Sequence, residues 1–303
     1  MIRTVLSDIS PEIVSGAYMH EHLIIDSPIV RDEFPHIFLG DINSAVTETV
    51  ECMRFGINLF VDCMPGNSGR NIEKLKEISM LSNIHIVSAT GMHNPKYYSS
   101  DSPYLKADRE FFCKVMIHEI NALRCGIIKI YTSSNKPSPL ECELFAGAVQ
   151  AQIETGAPIL THCEEGRGAL EQIELLESLG AELSQIVLSH TDKYPDRTYH
   201  REIFESGINV EYDQSLRQLD QKSKESLDLT IEMCNAGYAS QIMLGTDGAR
   251  RSLWKSLGGS PGLAALGRDW RNLLEQSGLD PLEVQSLFVD NPRRFLSFKV
   301  NQT

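Results

Sequence analysis

The chain has 303 residues, of which 42% are hydrophobic and 23% charged, and a formal net charge of −13. That length and apolar content are enough to bury a large core and exclude a disordered chain. The acidic balance excludes a general nucleic-acid binder, because a phosphate backbone needs a basic face. No run reaches the ~18 uncharged apolar residues of a membrane span, and residues 1–10 lack the charged and apolar regions of a secretion signal. The seven cysteines (Cys52, Cys63, Cys113, Cys125, Cys142, Cys163 and Cys234) are odd in number and form no Cys-x-x-Cys pair. A cytoplasmic protein with reduced thiols used as small core residues is expected.

Short apolar, β-branched runs alternate along the chain with longer segments of helical period. The runs predict eight strands: Ser15–His20, Ile57–Asp62, His85–Thr90, Ile127–Tyr131, Pro158–Thr161, Ile186–Ser189, Asn209–Tyr212 and Ile242–Thr246. Amphipathic stretches lie between them, among them Asn43–Phe55, Asn71–Ser82, Arg109–Arg124, Pro139–Thr155, Gly168–Leu179 and Ser223–Ala236. Gly56, Gly126, Gly156 and Gly180 stand where C-caps belong. Pro281–Phe298 reads as a closing helix broken at Asp290-Asn291-Pro292. Eight β/α repeats in this length, with no linker between them, predict a single-domain (β/α)8 TIM barrel over residues 1–303. An open doubly wound sheet is the alternative, but no Gly-x-Gly-x-x-Gly turn follows the first strand.

A barrel of this kind places its chemistry at the C-terminal ends of the strands. The first predicted strand ends in Met19-His20-Glu21-His22-Leu23, and His20 and His22, two apart, share a face if the strand is regular. The fourth carries Lys129 between branched apolar residues, where a charge needs a purpose. The fifth ends in Thr161-His162-Cys163-Glu164, the sixth in Ser189-His190-Thr191-Asp192 and the eighth in Gly245-Thr246-Asp247-Gly248. Taken singly, each has a plain structural use: a histidine bonded to a carbonyl, Asp247 as a helix N-cap, Lys129 reaching for the barrel mouth. Taken together, four of the nine histidines, a strand lysine and a strand-end aspartate fall on one face of the barrel. His36, His85, His118 and His200 read as surface or packing residues.

These motifs, in this order, resemble the phosphotriesterase-like group of the amidohydrolase superfamily over almost the whole chain. The resemblance implies a barrel holding two divalent metals, usually zinc. It implies that His20, His22 and Asp247 bind the more buried ion and His162 and His190 the more exposed one, with Lys129 bridging the two as a carbamate. Some members carry a glutamate at the bridge; this chain has lysine. Physical chemistry agrees, since burial frees the neutral amine of a strand lysine to react with CO2. An imidazole, carboxylate and oxygen donor set suits zinc, with manganese or cobalt as substitutes. A hydroxide held between two such ions is a strong nucleophile, and Asp247 is placed to move its proton to the leaving alcohol.

The predicted loops bear on the substrate. Arg217 follows the seventh strand, and the eighth is followed by Arg250, Arg251 and Lys255 ahead of Gly258-Gly259. Barrels often hold a phosphate between these two loops. The stretch resembles the branch of the family that hydrolyses lactones of phosphorylated sugars, with Leu253 replacing that branch's aromatic residue. A solvated loop or a homodimer contact is the other use for these cations. His93, after the third strand, stands where family lactonases often place a tyrosine near the metal-bound oxygen, and it is expected to orient the carbonyl. The loop Cys63–Asn71 could line the pocket, or Ser68 could cap the next helix. The expected activity is hydrolysis of a small lactone, with phosphotriester hydrolysis and metal binding without turnover as the alternatives.

Overall fold

The structure, a computed structural model, describes residues 1–298. The barrel strands are β1 (Ala17–Glu21), β2 (Leu59–Asp62), β3 (His85–Gly91), β4 (Ile127–Thr132), β5 (Ile159–Cys163), β6 (Ile186–Ser189), β7 (Asn209–Tyr212) and β8 (Ile242–Leu244). They run parallel in chain order. The amides of Thr246 and Asp247 donate to His20 O at 3.2 and 3.0 Å, joining the end of β8 to β1. This is the predicted (β/α)8 barrel. Each strand is covered on both faces, so apolar residues run on along most of its length instead of alternating with polar ones.

The repeat helices are α1 (Ile42–Met53), α2 (Ile72–Ser82), α3 (Arg109–Ala122), α4 (Pro139–Thr155), α5 (Ala169–Ser178), α6 (Arg197–Glu205) and α7 (Glu225–Met233). They pack their apolar faces on the outward strand residues, such as Tyr18, Phe60, Ile86 and Ile128. A second cluster fills the barrel with Met19, Val61, Ala89, Leu160, Val187 and Met243, closed at its lower end by Ile2, Ile9, Phe295 and Leu296. Helix caps account for most element boundaries. Ser138 and Glu141 form a capping box on α4, and Asp41, Asn71 and Asp108 cap α1, α2 and α3.

Three local expectations are corrected. Only Gly156 is a C-cap residue, at φ 71°; Gly56 and Gly180 lie just past theirs, and after α3 the left-handed position is taken by Arg124. Gly126 instead leads into β4, where a Cβ would collide with the carbonyl of Arg3. The C-terminal segment breaks at Val289, with helices Pro281–Phe288 and Asp290–Leu296 on either side. Pro292 falls in the first turn of the second helix, where its missing N–H costs nothing. Ser68 caps no helix; its hydroxyl donates to Pro65 O at 2.8 Å.

Candidate active site

The strand β1 does not keep the regular period on which a shared histidine face depends. Tyr18 pairs with Phe60 and Glu21 with Asp62, so three steps on β1 match two on β2. This bulge lets Met19 fill the barrel interior while the next residue, His20, also turns inward to the pocket floor. Glu21 is then free to accept from Thr246 N at 3.0 Å and Thr246 Oγ1 at 2.5 Å, which locks β8 against β1. Lys129 points inward from β4, and its neighbour in register is Gly91, where any Cβ would strike the lysine's own carbonyl. His190 and Asp247 both have left-handed backbones, at φ 66° and 41°. Strain of this kind at non-glycine residues is held in place by surrounding structure and gathers at functional sites.

The predicted residues converge. The ring centroid of His20 is 5.4 Å from that of His22 and 4.7 Å from that of His190, and His190 is 4.4 Å from His162. Lys129 Nζ is 3.4 Å from His20 Nε2, and His22 Nε2 is 3.6 Å from Asp247 Oδ1. Lys129 is 1% exposed, and burial pushes its ammonium below the usual lysine range. Burial likewise keeps the imidazoles of His20, His162 and His190 uncharged and lowers His22 to about 4. Neutral rings keep the lone pairs that a cation needs. Two donor groups, His20/His22/Asp247 and His20/His190/Asp213, have ligand atoms within 4.8 Å of one another. Nδ1 of His20 and of His22 has no hydrogen-bond partner, and Nδ1 of His190 meets the Asp213 carboxylate. Orphaned buried nitrogens beside carboxylates fit a site for divalent cations better than a packed core.

The pocket above this floor has a volume of about 690 Å³, within the range of small-molecule sites. His93 lines it, stacked on Tyr97 with centroids 5.1 Å apart and edge-on to His162 at 5.3 Å. Among the loop cations, Arg250 faces the pocket. Arg217 also lines it, but its guanidinium donates to Asp247 Oδ2 and Asp247 O at 2.8 Å each and to Thr246 O at 3.0 Å. Burial raises the Asp247 carboxyl, and the Arg217 guanidinium foremost more than reverses this, holding it below the usual range. Arg251 donates to Phe38 O at 3.0 Å, outside the pocket lining, and Lys255 lies outside that lining too. The loop they belong to is fixed by Glu48 of α1, which accepts from Ser256 N and Leu263 N at 2.8 and 2.9 Å. Of the loop after β2, Met64 lines the pocket.

Sequence reasoning passed over four groups here. Lys96 and Lys193, in the loops after β3 and β6, face the pocket beside Arg250. Asp213 and Glu211 stand below the floor: Asp213 Oδ2 is 2.6 Å from His190 Nδ1, and Glu211 Oε2 is 3.3 Å from His20 Nδ1. The signal that singled out Lys129, a charge inside an apolar strand, was also present at Glu211 of β7.

A (β/α)8 barrel with an imidazole-rich floor at the C-terminal strand ends offers candidate metal sites, and it is the relatives of the chain that make it an ester-hydrolysing enzyme. The phosphotriesterase family model matches residues 1–296, and the chain belongs to that family. It is 28% identical to the phospho-furanose lactonase of Mycoplasmopsis agalactiae, over 98% of this chain and 91% of that one. It is 24% identical to the aryldialkylphosphatase of Saccharolobus solfataricus, over 92% and 94% of the two chains. Among solved structures, a lactonase from Listeria monocytogenes superposes with a TM-score of 0.91 at 25% identity, covering 99% of each chain. The phosphotriesterase homology protein of Escherichia coli, solved with phosphate in its active site, gives 0.88 at 25% identity, over 95% of this chain and 100% of that one.

Proposed function

We propose that this protein is a lactonase that opens small phosphorylated sugar lactones, with two divalent ions, zinc foremost and manganese or cobalt as substitutes. The observation that carries the substrate class is the trio Lys96, Lys193 and Arg250 around the pocket of a protein whose net charge is −13. His20, His22 and Asp247 would hold one ion, His162 and His190 the other, and Lys129, as a carbamate, would bridge them. When bound, such ions acidify water and polarise the carbonyl to be attacked. Asp247 takes the proton as water adds to the lactone carbonyl and returns it to the departing alcohol. Arg217 keeps that carboxylate ionised and aimed. His93, steadied by Tyr97, orients the carbonyl oxygen. Arg250 with Lys96 and Lys193 grips the phosphate, away from the bond that breaks, so its binding energy serves positioning. Seven free cysteines, six of them buried, suit a reducing, cytoplasmic setting.

A charge-assisted contact to the phosphate is worth roughly 1.5–3 kcal/mol. Arg250→Ala is therefore expected to lower kcat/KM for a phosphorylated furanose lactone by about ten- to a hundredfold. The unphosphorylated lactone and a neutral phosphotriester, which offer no remote anion, should react as they do with the parent. An equal loss on all three substrates would assign Arg250 to the fold. Turnover of the triester above that of either lactone would favour phosphotriesterase activity, and bound metal with no turnover of any would favour a binding protein.

A further inference from the structure

The carboxylate of Glu211 is 0% exposed, and neither oxygen accepts a hydrogen bond. Leaving an acid so placed costs free energy unless something in the working protein uses it. It stands on β7, one layer below the pocket floor, and does not line the pocket. Its Oε2 lies 3.3 Å from His20 Nδ1, itself without a hydrogen-bond partner. The opposite nitrogen of that ring, Nε2, faces Lys129 Nζ at 3.4 Å. The room for Glu211 comes from the neighbouring strand end, since a Cβ on Gly245 would collide with Glu211 Oε1. The other three histidines on the floor have carboxylates at hand: His190 Nδ1 with Asp213, His162 Nε2 with Glu164 Oε2 at 2.9 Å, and His22 Nε2 with Asp247 Oδ1 at 3.6 Å.

We infer that Glu211 is a positioning residue for the metal centre: it takes the Nδ1–H of His20 and so fixes the tautomer that presents Nε2 to the ion. This rests on the metal reading given under Proposed function. Two effects follow from the geometry. The hydrogen bond holds the ring plane, so that the lone pair of Nε2 is aimed before an ion arrives. Once ions are bound, the charge of the carboxylate also makes the imidazole a stronger donor and offsets part of the charge of the ions. Glu211 touches neither substrate nor ion, so its contribution shows in metal affinity first.

The test compares Glu211→Gln with the parent by zinc titration against a chromophoric chelator and by thermal unfolding of the metal-free proteins. The amide keeps the shape and can still accept from Nδ1–H, but has no charge. Zinc affinity should fall about 10- to 100-fold, while the metal-free variant melts at or above the parent's temperature, because a buried acid crowded by Asp213 has been replaced by a neutral amide. Equal affinity would overturn the inference, as would loss of affinity with a matching loss of metal-free stability, which marks a residue of the fold alone. If Glu211→Gln does not fold, the parent decides: in zinc-loaded, 15N-histidine-labelled protein, His20 should carry its proton on Nδ1. A proton on Nε2 would overturn the assignment. If the parent binds no zinc, or His20→Ala binds it unchanged, the metal reading itself fails; that outcome is distinct from a zinc-binding parent that Glu211→Gln leaves unaffected.

Discussion

At the scale of single residues, the site is built by placing charged groups where burial would normally forbid them. Among the described residues no carboxylate lies within ion-pair distance of Lys129, and its nearest polar partner is the imidazole of His20 at 3.4 Å. Burial lowers the pKa of this ammonium against the pull of the nearby carboxylates, and so eases loss of the proton that carboxylation of the amine requires. Lys129→Ala should lose metal and activity together, and short carboxylic acids should partly restore both by supplying the missing anion; full activity in the variant would make the lysine a bystander. Arg217 gives a second prediction with a definite sign. With the guanidinium gone, Asp247 loses the protein charge that does most to hold its carboxyl down and its pKa rises, so the acid limb of the kcat profile should move to higher pH in Arg217→Ala. An unmoved limb with a loss confined to phosphorylated substrates would instead return Arg217 to the phosphate-binding role that its place in the sequence suggested.

At the scale of elements, the loops that carry the site are held by buried polar contacts to the helices behind them. His200 of α6 is one such contact. Its Nε2–H is shared between Thr191 O at 3.1 Å and Tyr194 O at 3.2 Å, and its Nδ1 accepts from the Tyr212 hydroxyl of β7 at 2.8 Å. Both nitrogens are satisfied only in the neutral ring, and burial pushes the pKa down to about 4. A histidine depressed in the folded state contributes stability that is complete above about pH 6.5 and is lost as pH falls toward 4, worth about 2 kcal/mol by pH 5. Urea unfolding at pH 7.5 and 5 should therefore show a smaller pH difference in His200→Gln than in the parent, and equal differences would refute this account. The contact also shows where the sequence was legible. Repeat order, strand positions and the six clustered groups follow from hydrophobic period and from charges at strand ends, which are local signals. The bulge in β1 depends on its pairing with a separate strand, Tyr18 on Phe60 and Glu21 on Asp62, and the turn of Arg251 toward Phe38 and the attachment of Ser256 and Leu263 to Glu48 depend on partners 213, 208 and 215 residues away. No period in the sequence encodes them. His200, alone on a helix with few apolar residues, read only as packing because its three partners lie on other elements.

At the scale of the whole molecule, the floor of the site is also the place where the barrel closes. The proposed ligands come from the ends of β1, β4, β5, β6 and β8, and β1 and β8 are the two edges that must meet for the sheet to become a barrel. Backbone bonding there is thin: two amides share the one carbonyl of His20, and Glu21 supplies the rest. Ions bound across this seam would join strands far apart in sequence, and binding to the folded state alone stabilises it by about 4 kcal/mol when free metal exceeds the dissociation constant a thousandfold. For a chain of this size each kcal/mol moves the midpoint by about 2 °C, so chelation should lower the calorimetric Tm by about 8 °C. Because the barrel interior and the helix shell are each continuous around the ring, the metal-free protein should still unfold in one transition, with the ratio of van't Hoff to calorimetric enthalpy near unity. An unchanged Tm after complete metal removal would place the ions outside the seam. A new early transition would show that the β8–β1 closure opens by itself, and that the repeats are less strongly coupled than the shared cores imply.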